Sequence, residues 1–197
     1  MNFGEYKIGE RMHALASELW PYNRSLTGSG VNKTLQILKQ RNPELKLHAF
    51  KSGEKVFDWK VPKQWEIQDA YIEHESGKRF AEFANNNLHV VGYSAPLDKE
   101  VSHIELHNYL HTQLDQPNRI PYVTSYYQER SGFCLSANTV KTMPTGKYRL
   151  FIDSSLQSGT MNIGECLLRG STTDEIMFTT YICHPSMANN ELSGPVL

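Results

Sequence analysis

The stretch that most constrains this chain lies near its end. Glu175-Ile-Met-Phe-Thr-Thr-Tyr-Ile-Cys183 is largely apolar and leads directly into His184-Pro-Ser-Met-Ala-Asn-Asn-Glu-Leu-Ser-Gly194. A short apolar run closed by turn-forming residues reads as a buried strand of an α/β layer. Strand ends are rigid and the loops beyond them open to solvent, so a histidine at that junction is well placed to hold a metal. Neighbours on an extended strand point to opposite faces. That separates Cys183 from His184 and argues against a thiol nucleophile paired with an imidazole base.

Charge removes several function classes. The net charge is −1, so no basic surplus exists to attract nucleic acid or an anionic membrane surface. No stretch approaches the ~20 apolar residues of a membrane span. The first ten residues, Met1 to Glu10, lack the basic-then-apolar pattern of a secretory signal. Cys134, Cys166 and Cys183 are odd in number, widely spaced and without a CxxC pair. They read as reduced thiols of a cytoplasmic protein.

Periodicity places the elements. Ile8, Met12, Leu15 and Leu19 line one face of a helix over residues 5–20, which Pro21 stops. Asn23 to Gly30 is a polar loop, and a second helix follows, capped by Thr27 or Ser29, with Val31, Leu35 and Leu38 inward. Leu45 to Phe50 reads as a strand. Strands also fit Lys55 to Trp59, Trp65 to Ile72 and Leu88 to Tyr93, with a hairpin turn at Glu75-Ser-Gly-Lys78. Ser102 and Glu105 form a Ser-x-x-Glu capping box ahead of a short helix. Residues 112–121 are loop. Three further strands are expected: Lys147 to Asp153, Asn162 to Arg169 and Glu175 to Cys183. This order suggests residues 1–57 and 150–197 as parts of one α/β layer, with 58–149 a β-rich insertion.

Several motifs have plainer readings. Thr27-Gly-Ser-Gly-Val-Asn-Lys-Thr34 lacks the spacing and preceding strand of a phosphate loop, and reads as a helix N-terminal loop that carries Arg24 nearby. His103, His107 and His111 recur every fourth residue, a step two metal ligands can share. With no carboxylate evident as a third ligand, they read as the wetter face of the short helix. Trp59, Trp65, Tyr122, Tyr126 and Tyr127 fit either the lining of a groove or, as is commoner in a β-rich unit, its core. For the terminal segment two descriptions stand. Either His184, Asn190 and Glu191 supply the nitrogen and oxygen donors that zinc accepts, or a lone histidine closes a strand before an Asn-rich turn.

The segment Tyr181-Ile-Cys-His-Pro-Ser-Met-Ala-Asn-Asn-Glu-Leu-Ser-Gly-Pro195 resembles the first metal motif of a bacterial aminopeptidase-like family. That family is related to zinc-dependent leucine and glutamyl aminopeptidases and often found in polysaccharide-biosynthesis loci. Leu19-Trp-Pro-Tyr-Asn-Arg-Ser-Leu-Thr-Gly28, Val56-Phe-Asp-Trp-Lys-Val-Pro62, Asn87-Leu-His-Val-Val-Gly-Tyr-Ser94, Ile120-Pro-Tyr-Val-Thr-Ser-Tyr-Tyr127 and Gly132-Phe-Cys-Leu135 resemble its other landmarks. The resemblance implies the N-terminal part of a zinc-aminopeptidase-like α/β sandwich carrying an inserted β-rich α+β domain. It implies His184 as a ligand to one zinc. The position of a carboxylate bridging two zincs falls at Asn190, with Glu191 next, and Ser186 stands where an aspartate orients the imidazole. One or two zinc ions are therefore expected. The implied activity is hydrolysis of an N-terminal peptide bond or related amide in a peptide or small-molecule substrate. The general base and remaining ligands are expected beyond Leu197, so residues 1–197 alone should be inactive. The alternative is a non-catalytic module that binds a peptide or a glycan-pathway partner on the same fold.

Overall fold

A computed structural model describes residues 3–197; Met1 and Asn2, where the segment read as free of a secretory signal begins, lie outside them. In chain order the elements are α1 (Phe3–Leu19), α2 (Ser29–Arg41), β1 (Lys46–Lys51), β2 (Lys55–Val56), β3 (Trp59–Lys60), β4 (Gln64–His74) and β5 (Arg79–Phe80). Then come β6 (Leu97–Ser102), α3 (His103–Leu106), β7 (Leu110–His111), β8 (Phe133–Cys134), α4 (Ala137–Lys141), β9 (Lys147–Gln157) and β10 (Thr160–Glu165). A π-helical turn, Ala188–Leu192, comes last. The protein is thus a mixed α/β chain with small sheets. None of the described helices is long and apolar enough to cross a membrane.

The contacts divide the chain into two compact units, residues 1–64 with 158–197, and residues 65–157. The division falls at the ends of β4 and β9, each of which runs unbroken for 11 residues.

In the first unit, β1 and β10 pair antiparallel from Lys46↔Glu165 to Lys51↔Thr160. α2 packs on β10, where Gly164 leaves room for Leu35 and Leu45. The capping expectation for α2 is corrected: Gly28 occupies the cap position, and Thr27 turns its hydroxyl to the Lys63 carbonyl instead. The run Lys55 to Trp59, expected as one strand, is a β2–β3 hairpin with Val56 opposite Trp59. Phe57 makes that reversal with a φ of 54°. A small core of Leu19, Ile37 and Leu192 gathers Leu15, Tyr22, Leu38 and Val196 around it.

The expected buried strand at 175–183 is absent. No described strand pairs with it, and Ile176, Met177 and Phe178 are 85, 84 and 92% exposed. A strand needs a neighbour for its backbone groups and a layer for its side chains. The described residues provide neither for this run.

The second unit is built on a four-stranded sheet in the order β5-β4-β9-β6. The turn expected at Glu75 to Lys78 joins β4 to β5, with Ile72 opposite Phe80 and Gly77 at a φ of 83°. β9 alternates so that Tyr148, Leu150 and Ile152 are buried. These join Ala70, Ile72, Phe80, Val101, Leu106, Phe133 and Leu135 in the main core of this unit. The capping box forms as read: Ser102 accepts from the Glu105 amide and Glu105 from the Ser102 amide. Leu88 to Tyr93, expected as a strand, is instead a 3-10 turn followed by single bridges at Val90 and Gly92. The histidine face is corrected as well. His107 is exposed as read, but His103 is half-buried against Tyr148 with its Nδ1 enclosed, and Ile104 is exposed beside them.

Candidate metal centre

The site grows from two loops of the first unit. Asn23 to Gly28 follows α1 and lies against the start of α2. Gly30 makes this approach possible, because a Cβ there would stand 2.0 Å from the Asn23 carbonyl oxygen. The loop carries Arg24 into the interior, where it is 0% exposed. Its Nη1 donates to the Leu19 carbonyl at 2.5 Å, while Nε and Nη2 are enclosed and have no hydrogen-bond partner.

The second loop begins at His184. Pro185 is buried, and Ser186 reverses the chain with a φ of 53°, a left-handed conformation uncommon outside glycine. The π-helical turn then drives Leu192 into the small core, and Glu191, its neighbour, is carried inside at 0% exposure. Glu191 Oε2 accepts a hydrogen bond from the His184 backbone N–H at 3.3 Å. Its other oxygen, Oε1, lies 3.5 Å from His184 Nε2 and has no hydrogen-bond partner.

Cys183 Sγ stands 4.0 Å from His184 Nε2. The opposite-faces expectation therefore fails, because the residues are not on a strand and strand alternation does not govern them. One donor atom from each of Cys183, His184 and Glu191 lies within 4.8 Å of the others. Tyr181 sets its ring edge-on to the imidazole at 5.6 Å.

The electrostatics follow from enclosure. Burial pushes the Glu191 carboxyl up, against the backbone N–H of His184 and the Arg24 guanidinium, which favour the anion. Burial also lowers the His184 imidazole, and Arg24 adds to that, so neutral imidazole is favoured. The Cys183 thiol is pushed up to about 11, chiefly by burial and then by Glu191. A thiol so hindered from ionising is a poor unassisted nucleophile, which retains the sequence conclusion on a different ground. Arg24 is lowered by its own burial, partly offset by Glu191 and Cys183.

Of the residues singled out from sequence, His184 and Glu191 are brought together. Ser186 is half-buried two residues after the histidine. Asn190 is exposed, and its Nδ2 turns to Met187 Sδ at 3.7 Å. Sequence reasoning missed Cys183 as a third donor and the burial of Arg24. The Gly-Ser-Gly run that lets the Arg24 loop pack closely was the available signal for the second.

Fold and site together define a mixed α/β protein with a Cys/His/Glu cluster beside a buried arginine. The chain belongs to the family described as Domain of unknown function (DUF4910), whose model matches residues 13–197. It is 47% identical over 191 residues to a Clostridium acetobutylicum protein provisionally named a polysaccharide biosynthesis protein with an aminopeptidase-like domain. That alignment covers 97% of this chain and 44% of the relative, so the chain spans less than half of the relative's length. A crystal structure of a C. acetobutylicum protein, provisionally named a peptidase, matches with a TM-score of 0.91 and 46% identity. It is covered over 45% of its length, against 97% of this chain.

Proposed function

We propose that this chain contributes the opening metal ligands of a zinc-dependent, aminopeptidase-like hydrolase that cleaves an N-terminal peptide bond or a related amide. Glu191 carries the reading. A carboxylate oxygen enclosed without a hydrogen-bond partner costs free energy unless something positive meets it. Here it faces an imidazole nitrogen 3.5 Å away, and a nitrogen and an oxygen donor in that relation suit zinc. The names of the two C. acetobutylicum relatives support a peptidase class and a link to polysaccharide biosynthesis in bacteria.

In this reading His184 presents its neutral ring and Glu191 is held by its Oε2 bond so that Oε1 stays free to ligate. Ser186 orients the imidazole, and Asn190 would have to turn from Met187 to bring its neutral amide to the ion. Zinc, when bound, supplies Lewis-acid polarisation of the substrate carbonyl. The general base and the remaining ligands lie outside residues 1–197, as the coverage of the longer relatives suggests. The substrate is a peptide or small amide, and neither nucleic acid nor membrane is a partner. Three unpaired cysteines support the reducing cytoplasm as the compartment.

Elemental analysis of the full-length protein that carries this chain, with His184→Ala as control, tests the reading. Zinc retained by the wild type and lost from the variant is the expected result; no zinc in either contradicts it. Residues 1–197 with added zinc should show no turnover of aminoacyl amides, and clear turnover would contradict the placement of the base elsewhere.

A further inference from the structure

We propose that Cys183 supplies its sulfur as a third ligand beside His184 and Glu191, which makes this a mixed sulfur, nitrogen and oxygen site selective for zinc over magnesium or calcium. The inference rests on the metal reading above and extends it to a residue of the same segment to which the resemblance assigns no role.

Three observations carry it. The first is geometry: the sulfur, an imidazole nitrogen and a carboxylate oxygen lie within 4.8 Å of one another, so a single ion can meet all three after small side-chain adjustments. The second is Glu191 Oε1, fully enclosed, without a hydrogen-bond partner and directed at the same cluster. The third is charge. Among the ligands within residues 1–197, an imidazole and one carboxylate leave a divalent ion with surplus positive charge, and the buried Arg24 side chain is nearby. Burying uncompensated like charges is costly. A thiolate removes the surplus on the ion, leaving Arg24 as the remaining positive group. Coordination replaces the S–H bond by a sulfur–metal bond, and the proton passes to the buffer; no electron is transferred. Thiolate is a poor partner for magnesium and calcium, which take hard oxygen ligands, and a good one for zinc and cobalt.

Cobalt(II) is the probe, because a cobalt–thiolate bond has a charge-transfer absorption in the near ultraviolet that nitrogen and oxygen ligands do not produce. Titration of the chain with cobalt should develop this band stoichiometrically, and zinc should bleach it. The band should persist in Cys166→Ser, whose cysteine is exposed, and vanish in Cys183→Ser. The wild-type spectrum decides by itself whether sulfur is bound, so the test survives if Cys183→Ser fails to fold. Cobalt uptake that needs His184 but gives no band overturns the sulfur ligand and leaves the His184–Glu191 site standing. A band lost in Cys166→Ser and kept in Cys183→Ser overturns the assignment to Cys183. No cobalt or zinc uptake overturns both this inference and the metal reading beneath it.

Discussion

Two apolar runs of this chain meet opposite fates. In β9, Tyr148, Leu150 and Ile152 are almost wholly buried, between β4 on one side and β6 on the other. In 175–183, an equally apolar run has no strand beside it, and Phe178 is 92% exposed. Apolarity states what a segment requires; burial depends on partners to meet the requirement. Residues 65–157 contain theirs, because every strand of their main sheet lies within or at the edge of that stretch. The run before His184 finds none among the described residues, yet the loop just after it is anchored by Leu192 and encloses a charged cluster.

Truncating the buried run should have the largest effect. Leu150→Ala is expected to cost about 2–5 kcal/mol in urea unfolding, the usual result of emptying a closed core position. The matching change in the other run, Phe178→Ser, should stay within about 0.5 kcal/mol, as exposed substitutions do. Comparable losses at both positions would break the contrast and show that the run is covered in solution. The smallest effect belongs to the rim of the four-stranded sheet. Arg149 grips Asp98 with two bonds of 2.8 Å and holds its carboxyl below the usual carboxylate range, but both side chains are exposed. A depressed folded pKa contributes stability above the unfolded value, about 3.9, and loses it as pH falls through the folded one. Asp98→Asn should therefore lower the urea midpoint slightly at pH 7 and not at all once acid has protonated Asp98 in the wild type. A difference that grows in acid would reverse the sign and contradict the pairing.

Much of the molecule was legible where the signal is local. The Ser102–Glu105 box and the Glu75–Lys78 turn each need only a few neighbouring residues, and both form as read. β1 and β9 fall where strands are read at Leu45 to Phe50 and Lys147 to Asp153. What escaped needed knowledge of distant partners. Leu88 to Tyr93 has strand composition but makes only single bridges, to Phe133 and Thr124. The run at 175–183 has strand composition with no pairing at all. At the site, His184 and Glu191 were recognised together, although seven residues separate them and only the turn at Ser186 and the π-helical segment bring Glu191 back. Strand alternation would hold Cys183 apart from His184, but it governs only residues on a strand. Once the strand is absent, the sulfur and the imidazole are free to approach.

The most direct measurement is thermal unfolding with and without zinc, for the wild type and for Glu191→Gln. Glutamine keeps the size of the side chain and removes the anionic oxygen. Zinc at about a hundred times its Kd should stabilise the wild type by about 2.7 kcal/mol, the increment expected of a ligand that binds only the folded chain. In Glu191→Gln most of that increment should disappear. An equal zinc-dependent rise in both proteins would contradict a metal role for the Glu191 carboxylate.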